Sequence, residues 1–251
     1  MNGLVPLVPD WPAPKSVSVI QTTRLGGVSS VPFDSLNLGD HVGDDLTHVQ
    51  TNRQRVFSID SLLRPVWLKQ VHGIEVLDVD EYLIAGNLDT PSADAAISTT
   101  PGHVCLVMTA DCLPVLFCNR QATVVAAAHA GWRGLCDGVL EATVRKMQCD
   151  PSDILAWLGP AIGPTAFEVG EEVREAFVQH DPSVSLAFAQ AVEPGKWLGN
   201  LFLLARQRLL ALGITAIYGG NDCTFSQPER FFSYRREGQT GRMASAIWLD
   251  V

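Results

Sequence analysis

Two kinds of apolar pattern alternate along the chain and predict its secondary structure. Short apolar or β-branched runs bounded by glycine, proline and polar residues are typical of strands. Longer segments with apolar residues three or four positions apart are typical of helices with one buried face. We expect strands over 16–22, 66–68, 75–79, 93–98, 104–109, 114–118, 123–129, 154–158, 214–218 and 244–249. We expect helices over 45–58, 135–147, 171–179 and 197–212.

The order of these elements indicates the fold class. Strands cluster in the middle of the chain while helices are interspersed or late, which favours an α/β sandwich of the α+β type over a strictly alternating parallel sheet. Thr47 is the expected N-cap of the first helix, and Gly213 ends the last and longest one. With 251 residues, 47% of them hydrophobic, and no repeat or linker, the chain fits one compact domain over 1–251.

The charge balance narrows the range of partners. Eighteen lysines and arginines stand against 27 aspartates and glutamates, so the net charge is −9. Such a surface repels nucleic acid and anionic lipid, although a small anion can bind where arginines gather in one cleft. The six cysteines show no paired framework, the first fifteen residues lack the pattern of a secretion signal, and no apolar run is long enough to span a bilayer. We therefore expect a cytoplasmic protein that binds neither nucleic acid nor membrane.

Three residues at the ends of apolar runs are candidate metal ligands: His72, Cys112 and His129. Two imidazoles and one thiolate hold a catalytic zinc on three sides and leave a fourth position open. The spacing of the three residues does not by itself establish a metal site, because His72 could be a loop histidine and Cys112 a buried structural thiol. His129 is the more informative residue, since it ends a strand of alanine and valine whose packing has no need of an imidazole.

Arginines recur at predicted strand ends and turns in a chain that is otherwise poor in positive charge. Their planar guanidinium groups suit phosphate or carboxylate, although solvated surface arginine and a simple hairpin over 239–242 remain open readings. Gly131 and Gly134 also permit an anion-binding site at the start of the following helix. Alternatively, they serve only to form the turn between strand and helix. The arginines concerned are Arg24, Arg133, Arg235, Arg236 and Arg242.

Six motifs spread over nearly the whole chain resemble those of the YfiH/YlmD family, which is also called the laccase-domain or multicopper polyphenol oxidase family. They are TTRLGG at 22–27, DSLNLG at 34–39, QVHG at 70–73, TADCLP at 109–114, HAGWRG at 129–134 and SYRR at 233–236. The resemblance implies a single-domain αββα sandwich. It also implies zinc held by His72, Cys112 and His129.

The same resemblance implies chemistry on purine nucleosides: phosphorolysis of adenosine, inosine, guanosine and methylthioadenosine with phosphate, and deamination of adenosine. An editing role in peptidoglycan precursor synthesis is also attached to bacterial members. Deamination would use water activated by zinc, whereas phosphorolysis needs a bound phosphate and a proton for the leaving base. We expect Asp111 to transfer protons beside Cys112 and His129. Expected substrate contacts are Asn37, Lys69 and the five arginines named above.

Other functions stay open at this stage. Copper is the alternative metal, because imidazole and thiolate also bind it, but a blue-copper laccase needs further histidine clusters. The remaining histidines, at 41, 48, 103 and 180, lack paired spacing. A metal-free hydrolase with Cys112 as nucleophile and His129 as base is a second alternative, and a non-catalytic metal-dependent binding protein is a third. The sequence leaves the oligomeric state open.

Overall fold

Three β-sheets organise the part of the chain that this computed structural model describes, residues 3–58, 60–87 and 89–251. The first sheet has the order β1-β13-β5-β2, formed by Val17–Gln21, Met243–Leu249, His103–Thr109 and Arg64–Val66. The second has the order β12-β8-β6-β7-β4-β3, formed by Ala216–Gly219, Ile154–Leu158, Leu113–Asn119, Val125–Ala130, Ala95–Ser98 and Val76–Asp78. Every predicted strand is confirmed, with ends shifted by at most two residues.

Alternation along the central strands explains why the two large sheets stack face to face. In β5, Cys105 and Val107 enter an apolar cluster shared with the second sheet, whereas Leu106 joins a cluster on the outer face. In β6, Leu116 enters the shared cluster and Phe117 points the other way. Successive strand residues point to opposite faces, so strands buried on both sides read as continuous apolar runs.

Helices cover the outer face of each large sheet. Helix α1, Leu46–Phe57, packs Val56 against Leu106 and Trp248 of the first sheet. The second sheet is covered by α3, Trp132–Asp137, α4, Val139–Met147, α5, Glu171–His180, and α6, Leu201–Ala211. Two shorter helices, α2 at Val79–Ile84 and α7 at Tyr234–Glu237, complete the helical set of the described residues. The layers run helix, sheet, sheet, helix, which confirms the predicted mixed α/β sandwich.

The third sheet is absent from the sequence prediction. It has the order β10-β11-β9, formed by Phe188–Gln190, Lys196–Gly199 and Glu168–Gly170. The prediction of one helix over 197–212 is therefore wrong at its start, because 197–199 belong to β11. Asn200 separates the strand from α6, and its side chain accepts a hydrogen bond from the Leu203 amide at 3.0 Å. The apolar residues on both sides of Gly199 and Asn200 hide this change from periodicity alone.

Two helix boundaries also differ from the prediction. Asp45, and not Thr47, caps α1, because its carboxylate accepts a hydrogen bond from the Thr47 amide at 2.7 Å. The helix predicted over 135–147 begins earlier, at Trp132, and is divided in two at Gly138. Gly138 has φ of 105°, a left-handed conformation that ends one helix and precedes the next.

Asp80 is predicted to stabilise the folded protein. Its carboxylate accepts hydrogen bonds from Ser98, Thr99 and His103. Burial raises the pKa of Asp80, but these hydrogen bonds outweigh it and lower the pKa from 3.8 to about 2. Asp80→Asn is expected to reduce the free energy of unfolding by about 2 kcal/mol at neutral pH.

The contribution of Asp80 to the free energy of unfolding depends on pH. It is fully present above the unfolded pKa of 3.8 and is lost as the pH falls through about 2. Urea unfolding at neutral and at strongly acidic pH measures it, with the exposed Glu175→Gln change as a control. A difference between wild type and Asp80→Asn that does not shrink in acid would contradict the prediction.

Within the described ranges, no helix is both long and apolar enough to cross a membrane.

Candidate functional site

Three candidate ligands converge where the chain passes between the two large sheets. His72 lies between β2 of the first sheet and β3 of the second, and Cys112 lies in the turn from β5 to β6. His129 is near the end of β7. The ligand atoms of all three lie within 4.8 Å of one another, and His72 Nε2 is 3.8 Å from Cys112 Sγ. The group could hold a metal ion, so we refer to it as the ligand triad.

Gly131 makes room for the ligand triad. A Cβ atom added to Gly131 would lie 2.8 Å from His72 Cδ2 and 3.0 Å from Cys112 Sγ. Real Cβ contacts essentially never fall below 3.0 Å, so a larger residue would displace the His72 ring and crowd Cys112 Sγ. The sequence analysis predicted that Gly131 either forms a turn or contributes to an anion site. The structure shows that its missing side chain leaves space for the ligand triad.

Asp94, which the sequence analysis did not select, holds both histidines in place. Its side chain is fully buried, and it accepts hydrogen bonds from the backbone amides of Val71, His72 and Gly73 at 3.1, 2.9 and 2.7 Å. It also lies 2.9 Å from His129 Nδ1. A carboxylate on the far ring nitrogen fixes the tautomer and orientation of a metal-binding histidine. An acidic residue directly before the alanine-rich strand β4, Ala95–Ser98, was the available signal.

The electrostatics of the site favour a thiolate at Cys112. Burial raises the pKa of this thiol, but the charge of His129 and hydrogen bonds with both imidazoles outweigh burial and lower the pKa to about 6. Burial lowers the pKa of His129, while the Cys112 thiolate and Asp94 raise it to about 9. The thiolate is the form of cysteine that binds metals. This donor set, two imidazoles and a thiolate beside an open cavity, fits zinc.

Two cavities meet at the ligand triad. The larger, of about 420 Å³, contains all three ligands in its lining, and the smaller, of about 280 Å³, contains Cys112. Ala110, Cys112 and Tyr234 line both. A cavity of several hundred Å³ with a few convergent polar groups is typical of a small-molecule site.

Three of the predicted substrate-binding arginines line these cavities. Arg242 lines the larger one, and its Nη1 donates to the carbonyls of Thr240 and Gly241 at 2.9 and 3.1 Å. Arg133 and Arg235 line the smaller one. Among the residues that the structure describes, none of the three forms an ion pair. No described carboxylate therefore neutralises these guanidinium groups, and they can bind an anionic ligand.

Four other predicted contacts lie outside the lining of both cavities: Arg24, Asn37, Lys69 and Arg236. Arg24 pairs with Asp34 and Glu237. Arg236 donates to the backbone carbonyls of 224, 225 and 231. Asn37 is fully buried, and Lys69 is exposed at the surface. The side chains of Arg24, Arg236 and Asn37 are engaged in internal hydrogen bonds, which a linear motif does not reveal.

Asp111 lies in the turn from β5 to β6 and lines the smaller cavity. One carboxylate oxygen accepts from Thr224 Oγ1 at 2.6 Å, and the other accepts from the Arg235 amide at 2.7 Å. Both oxygens are thus engaged, and the side chain is only 9% exposed. The bond from Arg235 joins the Cys112 turn to the start of α7, which carries Tyr234 and Arg235, and the bond from Thr224 joins it to the segment between β12 and α7.

Comparison with known sequences identifies relatives over nearly the whole chain. The family model described as multi-copper polyphenol oxidoreductase laccase matches residues 18–250. A protein of Escherichia coli strain K12 named purine nucleoside phosphorylase YfiH is 58% identical over 244 residues, covering 97% of this chain and 98% of that protein. A purine nucleoside phosphorylase of Pseudomonas aeruginosa is 54% identical, with coverage of 97% and 98%.

Solved structures give the same result. The Neisseria meningitidis protein NMB0706 has a TM-score of 0.93 and 48% identity, with 100% of both chains covered. YlmD from Geobacillus stearothermophilus has a TM-score of 0.86 and 34% identity, with 94% of this chain and 93% of that chain covered. The chain therefore belongs to the YfiH-like family, the one described as multi-copper polyphenol oxidoreductase laccase.

Proposed function

We propose that the protein is a zinc-dependent purine nucleoside phosphorylase of adenosine, inosine, guanosine and methylthioadenosine that also deaminates adenosine. The observation that carries this proposal is the ligand triad at the meeting point of two cavities. It occurs in a chain that is 58% identical to a protein named purine nucleoside phosphorylase. The substrates are a purine nucleoside and phosphate.

His72, Cys112 and His129 are the proposed zinc ligands. Asp94 occupies Nδ1 of His129, which leaves Nε2 for the metal. When bound, zinc supplies Lewis-acid chemistry at its open position. Cys112 and His129 thereby take part in catalysis as ligands. Since both oxygens of Asp111 are engaged, we assign that residue to positioning and not to proton transfer.

The two cavities differ in chemistry in a way that suits two substrates. The smaller one combines the guanidinium groups of Arg133 and Arg235, which form no ion pair with any described residue, with its aromatic lining, so we assign phosphate to it. The larger one has room for a nucleoside and is lined in part by Leu68, Met108 and Tyr234. Arg242 donates to the nucleoside through Nε and Nη2, the nitrogens that lack a partner among the described residues.

Three residues outside the cavities support the site without touching substrate. Asn37 orders the loop that follows it, since its side-chain oxygen accepts from the amides of Gly39 and Arg242, both at 2.9 Å. Arg24 and Arg236 both bind Glu237, the last residue of α7. We assign no substrate contact to Lys69.

A copper-dependent polyphenol oxidase is the rival function that the family description suggests. The described ranges, with their gaps at residues 1–2, 59 and 88, contain one group of three or more potential metal ligands, which is the ligand triad. A multicopper oxidase requires further clusters of histidines to reduce oxygen. The ligand set therefore favours the zinc enzyme.

Product analysis with adenosine tests the proposal. Zinc-loaded protein is incubated with adenosine in phosphate and in phosphate-free buffer, and adenine, inosine and hypoxanthine are separated by chromatography. Adenine with ribose 1-phosphate is expected only in phosphate, because phosphate is the attacking group. Inosine is expected in both buffers, because water is the attacking group in deamination.

Two outcomes contradict the proposal. Failure to form adenine in phosphate with the zinc-loaded protein would exclude phosphorolysis of adenosine. Phenol oxidation by protein that was purified with stoichiometric copper and without zinc would support the oxidase instead.

A further inference from the structure

His41 shares the larger cavity with the ligand triad. Of the described residues that line this cavity, those with ionisable side chains outside the triad are His41, Tyr234 and Arg242. Arginine does not give up its proton in proteins. Histidine is the side chain that most often transfers protons in enzymes. His41 is thus the group in the cavity that is suited to donate a proton and recover it.

A chain of polar contacts holds the His41 ring. Its Nδ1 lies 3.4 Å from Asp40 Oδ1, and Asp40 Oδ2 in turn lies 3.2 Å from Arg53 Nη2. Arg53 is fixed from the other side, since its guanidinium lies 3.9 Å from the centre of the Trp67 ring and its Nε donates to the Leu38 carbonyl. These contacts occupy Nδ1 of His41. They leave Nε2 without a hydrogen-bond partner among the described residues.

The loop that carries His41 is fastened to the cavity wall. The Leu38 amide donates to the carbonyl of Arg242 at 3.1 Å, and Asn37 Nδ2 donates to Asp44 Oδ2 at 2.9 Å. Gly39 lies so close to Arg242 that an added Cβ would be 2.8 Å from its Cγ. The loop from 38 to 44 therefore lies against Arg242, the residue directly before β13. An exposed histidine on a free surface loop would have no such attachment.

We infer that His41 is the general acid that protonates the purine as it leaves, an inference that rests on the proposed phosphorylase function. The C1′–N9 bond breaks and its electron pair moves into the purine, whose N7 takes the proton from Nε2 of His41. An oxygen of hydrogen phosphate forms the new bond to C1′. The proton that hydrogen phosphate loses returns through water to His41, so protons and electrons balance over one turnover.

A pair of nucleosides separates this role from a structural one. Inosine needs a proton on its leaving base, whereas the purine of 7-methylguanosine already carries a positive charge and departs without one. His41→Asn is expected to lower kcat for inosine by about 100-fold and for 7-methylguanosine by less than about 3-fold. KM for both nucleosides should change little, because the assigned step is proton transfer and not binding.

His48→Asn is the matched control. His48 is also a partly exposed histidine beside an aspartate, with its Nδ1 3.9 Å from Asp44 Oδ1, but it lines neither cavity. It should retain both activities. Because the His41 side chain is 58% exposed, His41→Asn should also keep the wild-type melting temperature and zinc content.

The outcomes distinguish failure of the inference from failure of the function. Equal loss of kcat for both nucleosides, with zinc and melting temperature unchanged, would overturn the assignment of His41. Unchanged kcat for inosine would overturn it as well. A wild-type enzyme that cleaves neither nucleoside in phosphate would overturn the proposed function and, with it, this inference.

Discussion

Cys112→Ala is expected to abolish zinc binding and to lower phosphorolysis of adenosine by roughly 1,000-fold, which corresponds to about 4 kcal/mol of transition-state stabilisation. The change removes Sγ, the thiolate donor of the ligand triad, and leaves only the imidazoles of His72 and His129. Two imidazoles do not complete the three-ligand set of a catalytic zinc site. Metal analysis of the purified protein and chromatography of the adenosine products measure the two effects.

Cys149→Ala is the control for this prediction. Cys149 is another partly exposed free thiol, but it packs at the end of α4 and lines neither cavity. This variant should keep zinc and activity. Full zinc content in Cys112→Ala would show that Cys112 is not a ligand, and wild-type activity that survives a chelator would favour the metal-free cysteine hydrolase.

The sandwich was predictable because its central strands are buried on both faces. Runs such as β6 and β7 are apolar apart from Asn119 and His129 near their ends, so a strand assignment needs no knowledge of its neighbours. The third sheet lacks this property. Its strands have three or four residues each, and only Gly199 and Asn200 stand between Leu198 of β11 and the apolar residues of α6. Pairing with distant residues, and not local pattern, defines such strands.

The ligand triad was accessible from the sequence, whereas the residues around it were not. His129 stood out because an imidazole has no packing purpose at the end of an alanine strand. Asp94 acts through four hydrogen bonds to groups that lie 21 to 35 positions away. Arg24 and Arg242 look alike in sequence, but Arg24 pairs with two carboxylates and Arg242 lines a cavity. Only the folded structure shows which of the two arginines is engaged in ion pairs and which one lines a cavity.

Asp94→Ala is expected to destabilise the fold by about 3 to 5 kcal/mol and to weaken zinc binding by about 10- to 100-fold or more. Burial raises the pKa of Asp94, but hydrogen bonds from His129 and Gly73 outweigh it and lower the pKa, so the carboxylate is charged at neutral pH. Its removal leaves three backbone amides and His129 Nδ1 without their shared acceptor. Urea unfolding and competition with a zinc-binding dye measure the two effects.

Asp80→Asn and Asp94→Asn make the comparison specific to the site. Both wild-type carboxylates accept from a histidine Nδ1, at 2.8 Å for Asp80 and 2.9 Å for Asp94, but Asp80 lines neither cavity. Both amide variants should lose stability, because an amide oxygen is a weaker acceptor than a carboxylate. Only Asp94→Asn should also lose zinc affinity, since its partners include two zinc ligands. Equal zinc affinity in the two variants would mean that Asp94 stabilises the fold without orienting His72 and His129.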